Sequence, residues 1–136
     1  MGRVLELFDS RVSNLRFQDE KAELHFSYTC IYLEHKPDVV WSQEVIILME
    51  HAQLEVPLPA LPNTVVGGYL ELDGKYYDLI PLPLPQKQNG RLYLQFADES
   101  VLVLHGEYPE IRLVGEKIFL SDRSWDRRTK ITPTKK

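Results

Sequence analysis

The stretch Val65-Val66-Gly67-Gly68-Tyr69-Leu70-Glu71-Leu72-Asp73-Gly74-Lys75-Tyr76-Tyr77-Asp78-Leu79-Ile80 decides the fold class. Two runs rich in β-branched and aromatic residues, Val65–Leu72 and Lys75–Ile80, flank Asp73-Gly74. A type I′ turn needs positive φ at both central residues, and Asp-Gly meets that need in two residues, so the stretch predicts a β-hairpin. Gly67-Gly68 lacks the spacing and the following helix of a phosphate-binding loop. It predicts a bulge or a close backbone approach at a strand start.

Outward from this hairpin the same period-2 alternation recurs in short runs with turn residues between them. Arg11–Phe17 reads as a strand closed by Gln18-Asp19-Glu20-Lys21, and Ala22–Leu33 follows as a long strand with Leu24, Phe26 and Tyr28 on one face. Val39–Glu50 has two readings. Trp41, Val45 and Leu48 fit a helical face with Asp38 as N-cap. Val39, Val40, Val45, Ile46 and Ile47 are β-branched, and with strands on either side they favour a strand that continues near Gln53–Val56. Arg91–Ala97 and Val101–Gly106, joined by Asp98-Glu99-Ser100, predict another hairpin, and Glu110–Val114 with Lys117–Leu120 predict a short last one around Gly115-Glu116. No segment has the periodicity of a crossover helix, which argues against a parallel α/β sheet. The expected fold is all-β, a single antiparallel sandwich or barrel over residues 1–122, with the sequence leaving those two architectures open.

Length and composition agree. The 136 residues fit one domain, and 43% hydrophobic with 26% charged residues is ordinary globular usage. The single cysteine, Cys30, lies among Tyr28, Thr29, Ile31 and Tyr32 and reads as a buried, inert thiol. The lack of a disulfide framework agrees with a reducing, cytoplasmic compartment. The N-terminus holds no apolar run of signal-peptide length, and no stretch approaches the ~18 apolar residues of a membrane helix. Glu6 stands where the N-myristoylation motif that would use Gly2 needs Ser or Thr.

The net charge of −4 is uneven. Residues 123–136 carry Arg123, Arg127, Arg128, Lys130, Lys135 and Lys136 against Asp126, which leaves the body at −9. Such a body argues against nucleic acid as a partner, because phosphate neutralisation needs a basic face. The basic tail reads as solvated and flexible, with an anionic contact surface as its alternative.

Two proline passages, Val56–Pro62 and Ile80–Pro85, alternate Leu with Pro. Proline lacks the N–H a central strand must donate, so both passages read as connectors or blunted sheet edges. Their other reading is an exposed apolar ridge for a partner, and Pro59-Ala60-Leu61-Pro62 matches the short PxxP pattern.

No catalytic constellation, cofactor site or metal site can be assigned. His25, His35, His51 and His105 match no ligand spacing, and Glu50-His51 would point to opposite faces of a strand. No G-x-S-x-G, G-x-G-x-x-G or Walker loop is present. The feature left over is aromatic: Tyr69, Tyr76 and Tyr77 around the Asp73-Gly74 turn, with Tyr93 and Tyr108 later. Strand packing accounts for tyrosines in sheets, and a ligand or partner surface is the alternative, as it is for Trp41 and Trp125.

Phe8-Asp9-Ser10-Arg11-Val12 with Leu24-His25-Phe26, then Leu61-Pro62 with Gly67–Gly74 and Ile80–Leu84, resemble small bacterial all-β proteins of unknown function. That resemblance implies a fold and no activity. The Phe8-Asp9-Ser10 opening also resembles small immunity proteins that neutralise toxins, in which a His usually precedes the Asp where this chain has Phe8. The leading functional expectation is a non-enzymatic interaction module, immunity-like in one form, that binds a basic protein or forms a homodimer. A small-molecule carrier or enzyme using a pocket in the β-structure, and a structural subunit of a larger assembly, are the alternatives.

Overall fold

A computed structural model describes residues 2–120. The basic tail at 123–136 and Trp125 lie outside the described residues. Eight strands follow in chain order: β1 (Arg3–Gln18), β2 (Lys21–Leu33), β3 (Lys36–Leu54), β4 (Asn63–Leu72), β5 (Lys75–Tyr77), β6 (Leu79–Leu82), β7 (Asn89–Phe96) and β8 (Val101–Phe119). All pairings are antiparallel, in the order β5-β4-β7-β8-β3-β2-β1-β6. A further pairing of Arg11 with Thr64 and Val12 with Asn63 joins β4 to β1. That contact closes β1, β2, β3, β8, β7 and β4 into a six-strand barrel, with β5 and β6 as added edge strands.

Three of the predicted turns are where alternation and turn chemistry put them. Asp73 (φ 47°) and Gly74 (φ 91°) both take positive φ, as a type I′ turn requires. Asp19 (φ 53°) and Glu20 (φ 67°) do the same between β1 and β2. Asp98 Oδ1 accepts from both the backbone N–H (3.0 Å) and the hydroxyl (2.6 Å) of Ser100, fixing the β7–β8 turn. Residues 39–50 are strand throughout, within the 19-residue β3. Of the proline passages, 55–62 contains no strand, and Ile80-Pro81-Leu82 lies in β6, an edge strand that pairs only with β1.

Three sequence expectations are corrected. No hairpin forms at Gly115-Glu116, because β8 runs unbroken from Val101 to Phe119. Gly115 (φ 76°) is instead a bulge, and the three residues Ser42 to Glu44 of β3 span the five from Val114 to Ile118 in β8. Its carbonyl accepts a 3.0 Å bond from Gln43 Nε2, while Trp41 Nε1 donates to Gln43 Oε1 at 3.0 Å, so the buried amide of Gln43 is satisfied. Lys75–Ile80 is not one strand; it divides at Asp78 into β5 and β6. Tyr28 does not continue the Leu24–Phe26 face, because a register shift between Phe26 and Cys30 passes the inward positions to Thr29 and Ile31.

Shifts of this kind shape the barrel. A side-chain period of two means one extra residue exchanges the inner and outer faces. In β1 the inward residues pass from Leu5 and Leu7 to Ser10 and Val12 across Asp9 (φ 73°). In β3 they pass from Ile47 and Met49 to Ala52 across His51 (φ 49°), and in β8 from Leu102 and Leu104 to Pro109 and Ile111 across Tyr108 (φ 52°). The enclosed core includes Phe26, Trp41, Ile47, Leu70, Leu92 and Phe96, each at most 2% exposed. A closed sheet of few strands has room for side chains alone, and this interior is packed with them. Cys30 is buried in β2.

Candidate functional site

On β4, β7 and β8 the inward residues alternate with a second set that covers the outer face. Register aligns this outer set into two rows across the sheet. Tyr76, Glu71, Arg91, His105 and Gln53 stand side by side in the first. Tyr69, Tyr93 and Val103 form the second. The Tyr69 ring stacks on Tyr93 with centroids 5.3 Å apart and meets the edge of Tyr76 at 4.9 Å, both favourable aromatic geometries. Tyr76 is exposed and the other two rings are half-buried.

Beside the rings lies a polar cluster. Arg91 clamps Glu55 in a fork, with Nε to Oε2 at 2.8 Å and Nη2 to Oε1 at 3.1 Å, and its Nη1 donates to the Tyr69 hydroxyl at 3.1 Å. His105 Nδ1 is 3.0 Å from Glu55 Oε2. The hydrogen bonds from Arg91, then those from His105, hold the Glu55 carboxyl below its usual range, and Glu55 in turn holds the Arg91 guanidinium charged. Asp73 accepts from the backbone N–H of Asn89 at 2.9 Å and of Gln88 at 3.2 Å, which lowers its pKa as well. Glu71, Asp73, Arg91 and His105 border an open depression of about 510 Å³. The face is therefore an aromatic patch edged by Glu55, Glu71 and Asp73, with its arginine already engaged.

Gly68 makes the ring stack possible. A Cβ there would run into the carbonyl oxygen of Tyr93 and lie 3.2 Å from Leu94 Cα. The strands approach this closely after a register shift between Val65 and Gly67, the bulge and close approach expected of the Gly-Gly pair.

The other singled-out residues go elsewhere. Tyr77 packs against the core with Lys75 Nζ 5.3 Å from its ring centre, and Tyr108 stands on the β8 bulge beside a different cleft. His51 pairs with Glu107 at 2.9 Å and Glu20 at 3.7 Å rather than with its neighbour Glu50, and His25 lies 3.9 Å from Glu23. Among the described residues no group of three His, Cys, Asp or Glu is placed to hold a metal. No helix among them is long and apolar enough to cross a membrane. Sequence reasoning missed Glu55 and Arg91. Alternation through Arg91-Leu92-Tyr93 places Arg91 beside Tyr93, whereas Glu55 follows the end of β3 and carries no periodic signal.

The Glu55 pair has a defined pH signature. Pairing lowers the pKa of the folded carboxyl, so its stabilisation is complete above the ordinary glutamate value of 4.5 and is lost as pH falls through the lowered one. The side chain is 31% exposed, so solvent screening limits the effect to about 1 kcal/mol or less. Urea titrations should show wild type losing its advantage over Glu55→Gln between pH 5 and pH 3. A constant difference across that window would mean the pair adds nothing to stability.

No protein-family model, no characterised protein and no solved structure matches this chain. The resemblances seen in the sequence therefore carry no family assignment, and the class is defined by the fold alone: a closed six-strand antiparallel barrel with two extra edge strands.

Proposed function

We propose that the protein is a non-enzymatic interaction module that docks a basic protein partner on the outer face of β4, β5 and β7. The observation that carries this reading is the Tyr76–Tyr69–Tyr93 cluster, edged by carboxylates and directed away from a core that does not need it. Tyrosine rings supply rigid contact area at low entropic cost, and their faces attract Arg and Lys. The carboxylates and the charge of the body add attraction over longer range and speed encounter. A second copy would bring the same acidic edge to this face, so charge favours a basic partner over self-pairing here. Neutralising a basic toxin is one concrete form of the role.

A poly-arginine peptide is a suitable probe. In amide NMR titrations it should shift Tyr69, Glu71, Tyr76 and Tyr93 first, while polyglutamate should shift none of them. Joint replacement Tyr76→Ala/Tyr93→Ala should weaken binding at least about tenfold, the effect of losing central aromatic anchors. Unchanged affinity in that variant, or shifts confined to another face, would overturn the reading.

A further inference from the structure

Along the second half of β8 one strand edge has no paired neighbour among the described residues. β7 pairs with β8 only as far as Glu107, and beyond it β8 pairs with β3 alone. β6 pairs with β1 alone. Between these two edges lies a cleft of about 700 Å³, bordered by Arg3, the Leu82–Leu84 turn and β8 from Tyr108 to Leu113. Its floor is the barrel core itself. Ile111 and Leu113 are inward positions of β8, as Leu102 and Leu104 are, yet they are half-buried where those two are fully buried. Leu84 is half-buried in the same way, and Leu82, though buried, lines the cleft beside it.

The rim charge is distinctive in an acidic body. Arg3 makes no ion pair with any described residue. Lys87 adds a second positive charge, part of which reaches Asp73. Glu110, the one acid at the rim, is held by Arg112 at 2.9 Å. Volume, apolar floor and converging polar groups together match a small-molecule site. We infer that this cleft binds a small amphipathic carboxylate, its alkyl chain against Leu82, Leu84, Ile111 and Leu113 and its headgroup on the Arg3 guanidinium. A guanidinium takes a planar carboxylate through two parallel hydrogen bonds, which an alkyl cation of equal length cannot receive. This site is separate from the tyrosine face and does not depend on it.

Sodium decanoate below its micelle concentration is the probe, with decyltrimethylammonium as the charge control. Calorimetry on the full chain should give saturable one-to-one binding of decanoate alone, and methyl NMR should place it at Leu82, Leu84, Ile111 and Leu113. Arg3→Gln should weaken binding about tenfold, the typical effect of a lost charge-assisted contact. Leu84→Trp, which fills the cleft from its exposed turn, should abolish binding. The wild-type methyl shifts decide the matter even if that variant fails to fold. Equal binding of the two surfactants, methyl shifts elsewhere, or no saturable binding of decanoate would each overturn the proposal.

Discussion

Trp41→Ala should cost about 3–5 kcal/mol of folding stability, the range for truncating a large buried aromatic. The ring is 2% exposed and belongs to the core, so the substitution opens a cavity there. It also removes the N–H that satisfies Gln43 Oε1 and the ring face beneath Lys117 Nζ, 4.6 Å from its centre. Phe119, whose ring centre is 5.7 Å away, loses its partner. In a domain of this size the melting temperature should fall by roughly 10–20 °C. Trp41→Phe separates the causes. It keeps most of the apolar volume and leaves the Gln43 oxygen unpaired, so it should cost only about 1–3 kcal/mol. Thermal and urea unfolding of both variants would measure this, and a near-zero effect for Trp41→Ala would mean the barrel interior is not packed around that ring.

The second large effect lies one residue from its control. Gly68→Ala should destabilise by about 2–4 kcal/mol, since the added methyl meets backbone atoms of β7 and the residue already has positive φ. Backbone cannot swing aside as a flexible side chain would. At Gly67 nothing lies within 4 Å of an added Cβ and φ is not positive, so Gly67→Ala should be neutral or slightly stabilising. Chemical denaturation of the pair tests the strand contact directly. Comparable costs at both positions would show that β4 and β7 are not held as closely as described. Separation of the strands in Gly68→Ala should also loosen the Tyr69–Tyr93 stack and weaken binding of a basic peptide.

Much of the β-structure was legible because local chemistry determines it. Asp73-Gly74 could form little except a tight turn, and the β-branched run at 39–50 marked strand despite a passable helical face. The tyrosines of the site were visible as a group, but Tyr77 and Tyr108 left it for reasons that no local pattern displays. Tyr77 faces the core from β5, and Tyr108 occupies a bulge. Gly115-Glu116 misled because glycine at positive φ serves a bulge as readily as a turn. Barrel closure rests on Arg11–Val12 meeting Asn63–Thr64, a long-range pairing with no sequence mark, so barrel and sandwich could not be separated. Glu55 and Arg91 are 36 residues apart and meet only through the register of three strands.

The strands that reverse their faces midway also determine how the barrel comes apart. β1, β3 and β8 each keep paired neighbours before and after the reversal, so neither part can lose its order without pulling hydrogen bonds from the other. The six-strand wall should therefore melt as one cooperative unit. β5 and β6, each joined to a single neighbour, lie outside that unit and exchange their amide protons first. The cleft can thus loosen along its β6 side, and Tyr76 with β5, while the wall that carries Tyr69 and Tyr93 stays intact.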